Sequence, residues 1–334
     1  MPIMIASPRG TEFNVADMYR DKIIGVVVPC HNEETQIART VNTMPDFVDH
    51  IVVVDDCSTD TTVKVVGKLA TDQTKVHLIQ HQNNRGVGGA ISTGYVWCRD
   101  HDIDVAVVMA GDGQMDPADL PNLLDPVVED RADYTKGNRL VTGEAWKKIP
   151  HARYLGNSAL TLLTKIASGY WHVTDSQTGY TALNKKALHL LPLENIFPRY
   201  GMPNDFLVTL NIYNMRVMDI LVNPVYDIGE KSGIKFRRVI FTLSILLSRL
   251  FIKRMVHKYI IRDFHPLVFF YTFGFLLFVP GVLFGLQLIL YRLTGTLVSA
   301  TSALFAAFLF VSGLQSLLFA MLFDMEANRD LKGG

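Results

Sequence analysis

Residues 23–34 read IIGVVVPCHNEE. A β-branched run closed by proline predicts a buried strand, and the polar cluster behind it marks where that strand surfaces. The pattern recurs three times: HIVVVDD (50–56) leads into CSTD, KVHLIQH (75–81) into QNNRGVGG, and VAVVM (105–109) into AGDGQMD. Helical spacing fills the gaps. Asn32 reads as the cap of a helix with an acidic first turn, Glu33 and Glu34, running to about Met44 before Pro45. Ser58 to Asp60 open a second helix carrying Val63, Val66 and Leu69, and Val87 to Arg99 form a third. Strands alternating with helices at this rhythm predict an α/β domain with a mostly parallel sheet flanked by helices.

Ligands of such sheets bind beyond the carboxyl ends of the strands. All four polar clusters gather at that rim. Asp55 and Asp56 end the second strand, where a carboxylate accepts hydrogen bonds from a ribose hydroxyl or a base imino group. Their structural role would be to cap the next helix, a task that Ser58 or Asp60 serves equally. The segment NNRGVGGA lacks the Gly-Lys-Ser/Thr ending of a phosphate loop and the Rossmann spacing. Its glycines are read as letting backbone approach a nucleoside, with Arg85 and Gly86 nearby. In VVMAGDGQMDP (107–117) the strand delivers one glycine-flanked carboxylate, Asp112, with Gln114 and Asp116 behind it.

The 334 residues have a formal net charge of zero, which gives no bias toward nucleic acid. That average hides an asymmetry. Residues 231–262 hold nine Lys/Arg and no Asp or Glu, and residues 267–291 and 293–323 carry no charge. At 1.5 Å per residue the first run reaches about 37 Å, enough for a hydrocarbon core of about 30 Å. The connection RLTGT (292–296) makes the two runs a hairpin with both ends on one side. Because the basic stretch precedes it, that side is expected to be cytoplasmic. MPIMIASPRGTEF lacks the basic start and apolar core of a signal peptide. Cys30, Cys57 and Cys98 lack metal-ligand spacing and read as core or loop thiols. The expected organisation is a cytoplasmic catalytic domain (1–230), basic amphipathic interfacial helices (231–265), two spans (266–291 and 297–323) and a cytoplasmic tail (324–334). That makes a multi-pass protein of the cytoplasmic membrane with both termini inside.

Taken in order, VVVPCHNEE, VVVDDCSTD, NRGVGGA, AGDGQMDP, KGNRL and DSQTGYTAL resemble the nucleotide-sugar glycosyltransferases of the GT-A fold. The polyprenyl-phosphate group, which includes dolichyl-phosphate mannose synthases, is the most similar. The resemblance covers about residues 22–235 and is specific for the class, not for the sugar. It implies transfer from a UDP- or GDP-linked sugar to undecaprenyl or dolichyl phosphate, with inversion to a β-linked product.

The resemblance also assigns residues. Pro29, Asn32 and Glu33 open the nucleotide pocket, with Asp55 and Asp56 near base and ribose. Asp112 matches the second acid of the D-x-D motif and Gln114 the glutamine behind it, together binding Mg²⁺ or Mn²⁺. Ala110 stands where the first acid would be, so a single carboxylate must serve with diphosphate and water oxygens completing the shell. Gly137, Arg139 and Arg153 match the segment that receives the acceptor phosphate, a task suited to the planar guanidinium fork. Asp175, Gln177, Thr178 and Gly179 line the sugar pocket. Lys231 and Lys235, in a loop that closes over the site, reach donor or acceptor phosphate. Asp205 lies where inverting relatives place an acid, here preceded by Asn204. A phosphate nucleophile is already anionic and needs no base.

Three rivals stand beside this reading. An enzyme acting on a lipid or glycan hydroxyl would need Asp205 as its base. A processive synthase would need more spans and a Q-x-x-R-W segment, which the sequence lacks. A catalytically dead scaffold would have Ala110 as its lesion. The small residues Ser299, Ala303, Ala306, Ala307 and Gly313 suit close helix contact and a homo-oligomer, a tetramer being one form.

Overall fold

The computed structural model describes residues 19–140, 151–223 and 236–334 and two short antiparallel strands upstream, β1 (Ile5–Ala6) and β2 (Glu12–Phe13); side chains are described at 19–140, 158–223 and 242–334. The chain forms two compact units, one of Met1–Leu250 with Leu331–Gly334, the other of Phe251–Asp330.

The first unit is built on a seven-stranded sheet: β3 (Ile24–Cys30), β4 (His50–Asp55), β5 (Val76–Gln80), β6 (Val105–Val108), β7 (Tyr134–Asn138), β8 (Thr181–Asn184) and β9 (Val217–Leu221). Their spatial order is β5-β4-β3-β6-β8-β7-β9, and β8 alone runs against its neighbours. The helices of this unit are α1 (Ile37–Asn42), α2 (Thr62–Asp72), α3 (Val87–Asp100), α4 (Leu120–Val128), α5 (His151–Ser168), α6 (Lys185–Leu190) and α7 (Met202–Ile212). The mostly parallel, helix-flanked sheet is the one the alternating runs predict.

Period two explains why the central strands lack polar residues. Val27, Val52, Val54, Ala106 and Val108 enter one buried cluster with Tyr95, Phe206 and Leu210. Ile24, Val26, Val28, Ile51, Val53, Val105 and Val107 enter a second with Ile37, Leu120 and Leu124. Both faces are covered, so both sets of alternating side chains must be apolar. Each fully buried valine contributes about 1.5–3 kcal/mol. Cys98 is wholly buried and Cys30 nearly so, and burial pushes both thiols up, Cys30 to about 12.

One helix start differs from its expected place. Asn32 sits in the left-handed region at φ 59°, and α1 begins only at Ile37. The amides that a cap would serve are satisfied across the rim instead. Asn32, Glu33 and Glu34 N–H donate to Ser58 Oγ, Thr62 Oγ1 and Asp60 Oδ2, while Asn32 Oδ1 accepts from Thr59 N at 2.8 Å. Long-range partners outcompeted the local cap.

The second unit joins the end of α8 (Phe236–Val256) and a wider π-type turn (His257–Arg262) to two long helices, α9 (Leu267–Leu293) and α10 (Ala300–Ala327). Both long helices are long and apolar enough to cross a membrane, with mean hydropathy 2.3 and 2.0. They touch backbone to backbone: a Cβ on Gly281 would lie 2.6 Å from Phe310 N, and one on Gly313 2.3 Å from Phe278 N. Gly313 and the buried Ala306 are therefore used inside the hairpin rather than left for a second copy. Helix α10 continues past the uncharged run to bring in Asp324, whose charge is met by the buried Arg254.

Candidate active site

The carboxyl ends of β3, β4 and β6 open into a cavity of about 440 Å³, within the size range of small-molecule sites. Pro29, His31, Glu33, Asp56, Asn84, Gly86, Ala110, Asp112, Arg199 and Tyr200 are among its lining residues. Seven of these belong to the four polar clusters at the strand ends, Asp56 with the residues 55–60 that close the second strand. Arg199 and Tyr200 come from a segment that carries no local signal beyond its proline and glycine.

Asp112 follows β6 in a turn closed by Gln114 N, which donates to Asp112 Oδ1 at 3.1 Å. Burial raises its carboxyl above the usual aspartate value, and the Gln114 amide and the charge of Arg139 pull the other way. Glu33 is raised too, first by burial and then by the negative charge of Asp112, so these two acids share one region. Where the first acid of the motif is missing, Ala110 N–H faces Met115 Sδ at 3.3 Å. Among the described residues no three His, Cys, Asp or Glu side chains cluster as a metal site.

Asp55 and Asp56 divide their work. Asp56 Oδ1 accepts from His81 Nδ1 at 2.8 Å and Arg85 N at 2.7 Å, and Oδ2 from Gly86 N at 2.7 Å. It therefore clasps the glycine-rich turn while lining the cavity. Asp55 accepts from Ser58 N through Oδ2, and its buried Oδ1 has no hydrogen-bond partner among the described residues.

The glycines of that turn also allow a close approach of protein backbone. A Cβ on Gly88 would lie 2.3 Å from Phe197 O, and one on Gly86, at φ +83°, 2.5 Å from Pro198 O. They let the 197–202 backbone dock against the turn. Arg85 turns its guanidinium to Thr93 Oγ1 at 3.2 Å and is not among the cavity lining.

The remaining candidates form a neighbouring cluster. Arg139, after β7, pairs through Nε with the buried Asp175 at 2.8 Å. Gln177 donates from Nε2 to Asn204 Oδ1 at 3.0 Å, and Thr178 O accepts from the wholly buried Lys136. Burial pulls the Lys136 ammonium down to about 8, with Asp175 and Asp219 opposing. Gly137 lies inside β7, where a Cβ would press Val222 at 3.0 Å. Asp205, at the start of α7, is buried and accepts from Phe197 N at 2.9 Å through Oδ2. It is not among the cavity lining; its carboxylate holds a loop. Arg153 falls on α5, where only backbone is described, and Lys231 and Lys235 lie outside the described residues.

The sheet, with a cavity at its strand ends, has the GT-A-like fold. The chain belongs to glycosyl transferase family 2, whose profile matches residues 25–191. It is 30% identical to the UDP-N-acetylglucosamine–dolichyl-phosphate N-acetylglucosaminyltransferase of Methanococcus voltae, over 70% of this chain and 97% of that one. It is 29% identical to the undecaprenyl-phosphate mannosyltransferase of Micrococcus luteus, over 62% and 85%. Among solved structures it shares its fold with glucosyl-3-phosphoglycerate synthase from Mycobacterium tuberculosis in complex with Mn²⁺ and UDP-glucose. That match has TM-score 0.50 and 18% identity, covering 70% of this chain and 79% of that one. The protein is a glycosyltransferase.

Proposed function

We propose that the protein transfers a hexose from a UDP- or GDP-linked donor to the phosphate of a polyprenyl lipid at the cytoplasmic face of the membrane. One observation carries the reading. The same chain holds a nucleotide-sized cavity with Asp112 in its wall and two long helices whose apolar side chains, Phe273, Leu276, Leu283, Leu304 and Leu318 among them, face outward. Such a surface suits lipid rather than water. The relatives from Methanococcus voltae and Micrococcus luteus carry polyprenyl-phosphate acceptors in their names, which supports the same acceptor here. Residues 331–334 rejoin the first unit after the hairpin, in keeping with two crossings and a cytoplasmic C-terminus.

In this reading the donor lies in the cavity with its sugar toward Asp175 and Gln177, and Arg139 receives the lipid phosphate. An acceptor phosphate oxygen attacks the anomeric carbon as the nucleoside diphosphate leaves, which inverts that centre. The nucleophile is already anionic, so no base is required, and Asp205 is left to hold its loop. Alignment and fixed positive charge supply most of the rate. Asp112 and the Gln114 amide offer hard oxygens that suit Mg²⁺ or Mn²⁺, provided the donor diphosphate and water complete the shell. When bound, the cation neutralises charge on the leaving diphosphate.

The test is product formation by the detergent-purified protein from undecaprenyl phosphate, Mn²⁺ and a panel of UDP- and GDP-sugars. The reading expects one β-linked glycolipid, lost in Asp112→Ala and in chelator. An α-linked product would overturn the inversion, and transfer to a neutral lipid alcohol but not to the phosphate would overturn the acceptor.

A further inference from the structure

We infer that Arg199 binds the diphosphate of the donor directly, independently of the metal; the inference rests on the reading of the cavity as a nucleotide-sugar site. The 197–200 segment supplies Arg199 and Tyr200 to the cavity wall, and four hydrogen bonds hold it and its exit into α7. Phe197 N donates to Asp205 Oδ2 at 2.9 Å, and Gly89 N to Pro198 O at 3.1 Å. Met202 N and Asp205 N continue from Arg199 O and Gly201 O into α7, at 2.9 and 3.0 Å. Gly86 and Gly88 make the approach close enough that a Cβ at either would collide with this backbone, and the Gly86 Cβ would also meet Arg199 Cγ at 3.1 Å. The arginine is thus delivered by a rigid segment with its stem laid against the turn that Asp56 clasps.

Charge decides what it is for. Among the described residues the cavity wall carries three carboxylates, Glu33, Asp56 and Asp112, and Arg199 is the one lysine or arginine among those lining it. A diphosphate entering such a wall meets repulsion unless positive charge offsets it. A second carboxylate for the metal is missing at Ala110, so a protein-borne cation has more of that work to do. Asp56 is already occupied by His81, Arg85 N and Gly86 N. The Arg199 guanidinium makes no hydrogen bond or ion pair among the described residues, although it lines a wall with acids. Its five donors are left facing the cavity and solvent, and a planar fork of this kind matches two phosphate oxygens at once.

The experiment compares nucleoside diphosphates with the corresponding nucleosides on the full-length protein in detergent. UDP and GDP are titrated calorimetrically, and uridine and guanosine by ligand-observed NMR, which reads weak binding. Wild type, Arg199→Ala, Arg199→Lys and Asp112→Asn are each measured with Mn²⁺ and with chelator. Removing a charge-assisted contact to phosphate is expected to weaken the bound diphosphate about 10- to 100-fold. Nucleoside binding should stay within about twofold, the loss should persist in chelator, and lysine should recover part of it. An unchanged diphosphate affinity in Arg199→Ala, or an equal loss for nucleoside and diphosphate, overturns the inference while leaving the cavity assignment intact. If wild type binds neither diphosphate, the cavity assignment itself fails and the inference falls with it. Arg199 is exposed, so its variants should melt close to wild type.

Discussion

Arg139 and Asp175 are joined as a fork: Nε donates to Asp175 Oδ2 at 2.8 Å and Nη2 to Oδ1 at 3.3 Å, while the Arg139 amide reaches Oδ2 at 3.3 Å. The carboxylate is 2% exposed and the guanidinium 30%, so a buried acid anchors an arginine whose outer edge reaches solvent. Arg139 and Lys136 together hold the Asp175 carboxyl below the usual aspartate range despite its burial.

Asp175→Asn should therefore damage positioning more than folding. The half-exposed partner can rehydrate, so the stability loss should be about 1–3 kcal/mol, below the full cost of breaking a wholly buried pair. Turnover should fall at least about tenfold, because the guanidinium proposed to meet the acceptor phosphate loses its anchor. Urea midpoints and initial rates measured on the same preparation check both figures.

Asp112 is held above the ordinary aspartate value, so its ionised form, the one proposed to bind the cation, is lost earlier on acidification than for an exposed aspartate. Mn²⁺ affinity of the donor-loaded enzyme should fall as pH drops, with a midpoint above that of a free aspartate. Titrations of Mn²⁺ across the acid range test this. A flat affinity down to the normal aspartate range would remove Asp112 from the cation site.

Gly88→Ala and Gly67→Ala should behave oppositely. The first drives a methyl to within 2.3 Å of Phe197 O and must displace the 197–202 backbone, whereas the second meets nothing within 4 Å in the interior of α2. The expected outcomes are weaker nucleotide binding for Gly88→Ala and a gain of about 0.5–1 kcal/mol for Gly67→Ala. Calorimetric nucleotide titrations and denaturation midpoints separate the two.

His50 Nδ1 and His77 Nε2 lie 3.0 Å apart beside Trp97, with His101 stacked on the same indole. Burial, and then the charges of His77 and His101, pull His50 down to about 4; burial and His101 lower His77. The unfolded chain binds these protons first, so this cluster subtracts stability as pH falls from about 6.5 toward 4 and is neutral above that window. Urea midpoints should drop between pH 7.5 and 5, and His50→Gln should flatten the decline.

In the second unit Arg254 and Asp324 are fully buried and meet at 2.6 and 2.9 Å, joined by Tyr259, Asn328 and Lys258. Arg254→Ala should cost about 3–5 kcal/mol by stranding the acid, while Arg254→Met with Asp324→Leu should recover most of it. Thermal unfolding in detergent distinguishes a stranded charge from lost packing.

Much of this was legible in order along the chain. The β-branched runs named the strands because a sheet covered on both faces needs apolar residues on both, as in β3 and β6. Polar clusters at 31–34, 55–60 and 110–114 named the rim because parallel strands all surface at one end. The less legible parts depend on partners distant in sequence. Asn32 reads as a helix cap until Thr59 claims its oxygen, and nothing near Asp205 in the sequence marks its bond from Phe197 N. The packing of Phe197 and Pro198 on Gly86 and Gly88 has no mark in the NRGVGG segment itself.

The sequence by itself determined the strand and helix rhythm, the rim where the acids gather, and the two long uncharged runs, because these follow from local hydropathy and its period. Only the tertiary structure decided which polar groups remain to meet a ligand. Asp56, Asp205 and Arg85 have the right chemistry, yet their hydrogen bonds are wholly or partly committed to protein. Arg199, with no motif to mark it, is carried into the cavity wall by a loop docked between two glycines and an aspartate. Hydrogen-bond partners are set by directions and distances across the fold, and neighbours in sequence do not encode them.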